Sequence, residues 1–146
     1  MSGITSASSA LLPNTGAVFN LLGVATGAYA LLSPRLGLEQ TGIPASSLAD
    51  AKAAKAADGM TQMMAVRKLS GGLLYFALWY AWRTSDIASQ VVWRKTLGLC
   101  FITGVAVPLV DGWVVKEQTG DAKGGWMHWV FAPVALGLGA GLLGWF

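Results

Sequence analysis

Charge is scarce in this chain. Asp, Glu, Lys and Arg make up 12% of its 146 residues, against about 25% in an ordinary soluble domain. A water-facing surface cannot be clothed with so few charges. The net charge of +3 comes from ten scattered Lys and Arg rather than a basic run. Nucleic acid is therefore not an expected partner.

Histidine and cysteine are scarcer still, one of each: His128 and Cys100. A single Cys allows no intramolecular disulfide, so the redox compartment cannot be read from it. Its place inside an apolar run makes packing its expected role, because a thiol in such surroundings is inert. One imidazole and one thiol do not make a zinc or haem-type ligand set, so no metal and no other cofactor is expected. A Walker A loop, a Gly-x-Gly-x-x-Gly following a strand and a Gly-x-Ser-x-Gly elbow are all missing. The first ten residues carry no Lys or Arg, hence no signal-peptide n-region, and read as a short disordered lead-in. Gly does not follow Met1 directly, so myristoylation is not expected. Internal repeats and low-complexity tracts are also lacking.

What the chain has in abundance is apolar surface. Hydrophobic residues reach 54% and the mean hydropathy is +0.55. Seven Trp and nineteen Gly fit the same class, since Trp gathers at membrane interfaces and membrane helices tolerate Gly. Four apolar segments stand out, at about 16–33, 65–82, 96–115 and 126–146. Each is roughly 18 to 21 residues, about 27 to 32 Å of helix, which matches a hydrocarbon core about 30 Å thick. The expected fold is all-α: an integral membrane four-helix up-and-down bundle forming one domain over 16–146, with both termini on one side. The Ala-rich stretch from Ser46 to Gly59 opens with Ser47-x-x-Asp50, a helix start signal. It is expected to form a short extra helix in the first loop, broken at Gly59.

The Trp residues flank these segments as an aromatic belt. The first loop and its flanks hold Arg35, Lys52, Lys55, Arg67 and Lys68, and the third loop adds Lys116 and Lys123. Arg83, Arg94 and Lys95 stand on the opposite side. The positive-inside rule then places the first and third loops in the cytoplasm. Small residues should let the helices meet: Gly16, Asn20, Gly23 and Gly27 on the first, and Gly137-x-x-x-Gly141 with Ala135, Gly139 and Gly144 on the fourth.

Asp111 is the residue that demands an explanation. It sits in the apolar run from Leu97 to Val115, where an acid costs about 2.5 to 3.5 kcal/mol on insertion scales. Up-and-down threading brings it level with Arg67, His128 and Tyr29 at one membrane face. Arg67 can hold an ionised carboxylate by charge-assisted hydrogen bonds, and His is the side chain whose proton moves near neutral pH. Asp111, Arg67 and His128 together would suit proton transfer in a lipophilic substrate. Tyr29, Trp113, Trp126 and Trp129 would wall the substrate site. Pro108 removes an amide donor and should free the carbonyl of Gly104, kinking the helix a turn before Asp111. A purely structural Arg67–Asp111 salt bridge, with His128 at the interface, accounts for the same residues.

Three short motifs carry a family likeness: Ala65-Val-Arg67-Lys-Leu-Ser-Gly71-Gly-Leu-Leu, Val107-Pro-Leu-Val-Asp111-Gly and Trp126-Met-His128-Trp. Together they resemble a domain-of-unknown-function family of small four-span membrane proteins from fungi and bacteria. The likeness covers about 16–146. It implies that Arg67, Asp111 and His128 are the family's polar positions; fungal members of this and similar families occur in natural-product pathways, some as cyclases, oxygenases or accessory partners of membrane enzymes, and the likeness supplies no reaction. Two functions follow as expectations. One is a cofactor-independent membrane cyclase or isomerase acting on a lipophilic metabolite; the other is a non-catalytic subunit that scaffolds a membrane-bound biosynthetic enzyme such as an anchored oxidase. Expected partners are a lipophilic small molecule, membrane lipid, such an enzyme and a second copy of the chain. In a eukaryote the expected membrane is that of the endoplasmic reticulum.

Overall fold

The structure, a computed structural model, describes residues 9–40, 43, 50–120 and 122–145. The expected lead-in and the start signal at Ser47 fall outside the described residues, apart from Ser9, Ala10 and Asp50. The described residues are helical throughout: α1 (Leu11–Leu32), α2 (Pro34–Gln40), α3 (Ala51–Thr84), α4 (Ile87–Gly104), α5 (Ala106–Thr119), α6 (Ala122–Trp129) and α7 (Phe131–Leu143).

Local chemistry sets the ends of these helices. Ser33 leaves helical geometry after α1, and Pro34 opens α2, a position where its missing N–H costs nothing. Asp50 caps α3 by accepting a hydrogen bond from the Ala53 amide at 2.7 Å, and Asp86 caps α4 through the Ser89 amide at 3.0 Å. Gly120 and Gly144 close α5 and α7 with φ of 67° and 77°, the left-handed geometry that a residue without Cβ adopts readily.

The Ala-rich stretch is not a separate helix. It runs unbroken through Gly59 into the second apolar segment, making α3 a single helix of 34 residues. A lone Gly in a helix costs only about 1 kcal/mol relative to Ala, which the neighbouring Ala, Lys and Met residues easily absorb. The short extra helix of the first loop is instead α2.

The bundle consists of two antiparallel hairpins. In the first, α3 runs back along α1: Tyr75 donates to the Pro13 carbonyl at 3.1 Å and Trp79 to Asn14 Oδ1 at 3.0 Å at one end. At the other end Gly27 lies against Ala65, Lys68 and Leu69. In the second hairpin, α7 returns along α4 and α6 along α5. The hairpins join where Phe101 meets the rings of Tyr75 and Phe19, with centroids 5.2 and 5.9 Å apart. Ala17, Tyr75, Trp82, Leu97, Phe101, Ala135, Leu138 and Leu142 form the core.

In lipid the backbone approach matters more than apolar area, because the tails are as apolar as Leu. A Cβ at Gly16 would overlap the Tyr75 hydroxyl, and one at Gly98 would come within 2.9 Å of the Gly139 carbonyl. The small-residue faces are narrower than their spacing suggests. Gly23 and Gly137 face open space, so the Gly137-x-x-x-Gly141 pair does not pack as one face. Gly139 takes that role, crossing Gly98.

Two breaks divide the second hairpin. Between α4 and α5 the helix is interrupted at Val105, whose N–H reaches Ile102 rather than the residue four back. Pro108, three residues on, has no N–H to offer Gly104, as expected of it. A second break falls at Val130, three residues before Pro133, although the Val130 N–H still donates to the Trp126 carbonyl at 3.2 Å. Three stretches are long and apolar enough to cross a membrane: Leu11–Leu32, Ile87–Thr119 and Gly125–Leu143. These mark the chain as a membrane protein. α3 is not among them, since Arg67, Lys68 and Arg83 crowd its apolar part.

Candidate functional site

Asp111 lies on α5, one turn beyond Pro108, and is buried. Its partner comes from the other hairpin. Arg67 Nη2 donates to both carboxylate oxygens, at 2.8 and 2.9 Å. The side chains differ in setting: Asp111 is 10% exposed and Arg67 46%. Burial of Asp111 shields the pair from water on one side only, and hydrogen bonds to charged groups are the stronger kind. The pair ties α3 to α5, which otherwise touch little.

His128 is not joined to this pair. Both hydrogen bonds to Asp111 come from Arg67, and among the described residues His128 has no hydrogen-bond or ion-pair partner. The reason lies in how α6 docks. Gly125 and Trp129 occupy its contact face, with Gly125 against the Gly112 backbone. His128 stands about 100° round the helix from Trp129 and is half-buried.

Of the four aromatic residues expected to wall a substrate site, three are exposed. Trp129 packs over Gly112, where a Cβ would overlap the indole, and its Nε1 donates to the Leu109 carbonyl at 3.2 Å. It acts as a strut between α5 and α6. Trp113 and Trp126 are exposed, as interfacial anchors are. Tyr29 is exposed too, on the side of α1 opposite Gly27 and away from α3. Two shallow recesses instead flank α3, one lined by Gly59, Gln62, Met63 and Val66 and the other by Met60, Met63, Met64 and Arg67. Neither is enclosed.

Two further charged groups have places that spacing along the chain did not suggest. Arg35 on α2 pairs with Asp58 on α3 at 2.6 Å, pinning the short helix against the long one. Arg94 is only 3% exposed. It donates to the Ser9 carbonyl at 3.0 Å and to the Gly141 carbonyl at 3.5 Å, so it fastens the start of the chain and the end of α7 to α4. The periodic signal was present: Arg94 shares a face with the core residues Leu97, Gly98 and Phe101 at i, i+3, i+4 and i+7. Arg94 and Arg67 thus hold opposite ends of the bundle, and neither belongs to a loop.

Among the described residues no three His, Cys, Asp or Glu side chains cluster as a metal site would require. No curated protein and no solved structure matches the chain. A family described as a domain of unknown function, DUF4267, matches residues 20–142. That span takes in the helices carrying Arg67, Arg94, Asp111 and His128, and the chain belongs to this family.

Proposed function

We propose that the protein is a multi-pass, non-catalytic membrane subunit that stabilises a partner enzyme working on lipophilic compounds. One observation carries this reading: the Asp111 carboxylate is committed to Arg67, while His128, the proton partner expected for it, makes no hydrogen bond to it. A general base must reach the proton it abstracts within about 3 Å, or through one water. Here the acid is spent on holding two hairpins together.

The second apolar segment would be the fourth crossing, with both termini on one side. α3 lies along the full length of α1, so whatever depth α1 occupies α3 shares. At 1.5 Å per residue its 34 residues reach about 51 Å, well beyond a hydrocarbon core of about 30 Å. Its first third, bearing Lys52 and Lys55, would therefore stand outside the core as a stalk for a partner. With Arg67 and Arg94 assigned to the bundle, the first and third loops still carry most of the cationic residues, which supports a cytoplasmic stalk.

A second reading, acid–base catalysis on a lipophilic metabolite, draws on His128 being half-buried without a partner. Deletion of the gene in its own organism, followed by metabolite profiling and complementation, separates the two. The subunit reading expects H128A and D111N, expressed at the wild-type level, to restore the lost product. It expects K52E/K55E to fail although the protein accumulates. Loss of product with H128A or D111N at undiminished protein level would establish catalysis instead.

A further inference from the structure

We propose that the recess beside Arg67, lined by Met60, Met63 and Met64, is a head-group site for an anionic phospholipid, whose acyl chains run the other way along α3, past the exposed Leu73 and Leu74. This goes beyond the subunit reading and rests on it only in taking α3 as a crossing. The recess holds about 260 Å³ and is open on one side.

Arg67 presents five N–H donors, of which the Asp111 carboxylate takes only those on Nη2. Among the described residues Nε and Nη1 have no acceptor. They lie on a side chain that is 46% exposed. Those exposed donors are open to an outside acceptor, and a phosphate oxygen pair fits the fork of a guanidinium. The local charge also selects an anion. Asp111 cancels one of the two positive charges of Arg67 and Lys68, leaving one over, and the Arg35–Asp58 pair nearby is neutral.

Depth along α3 points to a lipid rather than a soluble anion. Arg67 lies sixteen residues before Arg83, about 24 Å at 1.5 Å per residue. That puts it near the rim of a core about 30 Å thick. Helical side chains lean towards the N-terminus, so the guanidinium reaches the level of Met63, where head groups begin. Met60 and Met63 are exposed there, Met63 to 74%. Flexible thioether chains of this kind can pack beside a head group and its glycerol.

Native mass spectrometry of the full-length protein in dodecyl maltoside, titrated with dioleoylphosphatidylglycerol or dioleoylphosphatidylcholine, tests the site. The wild type should retain the anionic lipid about fivefold to tenfold better, as one basic group near a head group provides. M63E leaves the Arg67–Asp111 pair untouched and should bring the preference below about twofold by placing a carboxylate in the recess. D111N should raise it, since more of Arg67 becomes available. Millimolar inorganic phosphate should not displace the lipid. Equal retention of the two lipids by the wild type would overturn the proposal. So would an undiminished preference in M63E, or displacement by phosphate alone, which would identify the ligand as a free anion.

Discussion

Removing Arg67 alone should be worse for the protein than removing Arg67 and Asp111 together. Arg67→Met strands a carboxylate that is 10% exposed and takes both its hydrogen bonds from the lost side chain. Breaking a fully buried pair in this way costs about 3 to 5 kcal/mol. Here Arg67 is nearly half exposed, so its charge was never fully desolvated, and Lys68 lies on the same turn to offset part of the loss. A cost of about 2 kcal/mol is the reasonable expectation. Asp111→Leu leaves a guanidinium that can turn outwards, at about 1 kcal/mol. The double variant R67M/D111L puts two apolar side chains in contact and should lie within about 1 kcal/mol of wild type, as apolar replacements of buried pairs do. The coupling energy is then about 2 to 3 kcal/mol. Reversible unfolding in mixed micelles on an increasing fraction of sodium dodecyl sulfate, read by emission of the seven Trp, measures all four forms. Additive effects, with coupling below about 0.5 kcal/mol, would refute the claim that this pair joins the hairpins.

The same assay checks the remaining expectations. Gly16→Ala forces a Cβ onto the Tyr75 hydroxyl and should cost about 1 to 3 kcal/mol through overpacking. By contrast Gly23→Ala and Gly137→Ala meet open space and should be neutral or gain up to about 1 kcal/mol from helix propensity. Arg94→Met abandons the Ser9 and Gly141 carbonyls; a loss of about 1 to 3 kcal/mol should accompany faster proteolysis near Ser9. The Asp86 carboxyl is held below its usual range by hydrogen bonds from the Ser89 amide and then its hydroxyl. A depressed acid stabilises the fold above its unfolded pKa, about 3.9, and that contribution fades as pH falls through the lower folded value. Acidification below about pH 4 should therefore weaken wild type more than D86A.

An all-helical chain built from membrane-length apolar segments was readable from composition and run length alone. Both are properties of consecutive residues, and the backbone's need for internal hydrogen bonds in lipid leaves helices as the natural outcome. The break ahead of Asp111, at Val105, was readable for a similar reason: Pro108 removes its own amide wherever it stands. The Arg67–Asp111 pair was readable as far as topology brings two opposite charges level in an apolar setting.

The residues that spacing misjudged are those whose roles depend on rotation about a helix axis and on which neighbour arrives. α6 docked through Gly125 and Trp129, and the carboxylate of Asp111 went to Arg67 rather than His128; Tyr29 was turned outwards because Gly27 and Ala30 took the inner face of α1. Arg94 looked like a flanking loop cation until α7 and Ser9 closed over it. Thus the sequence by itself determined the class, the segment lengths and the break at Pro108, through local backbone chemistry and the sheer lack of charge. Only the tertiary structure decided which charges are satisfied by one another, because a degree of helix rotation that leaves hydropathy unchanged decides whether two polar groups meet.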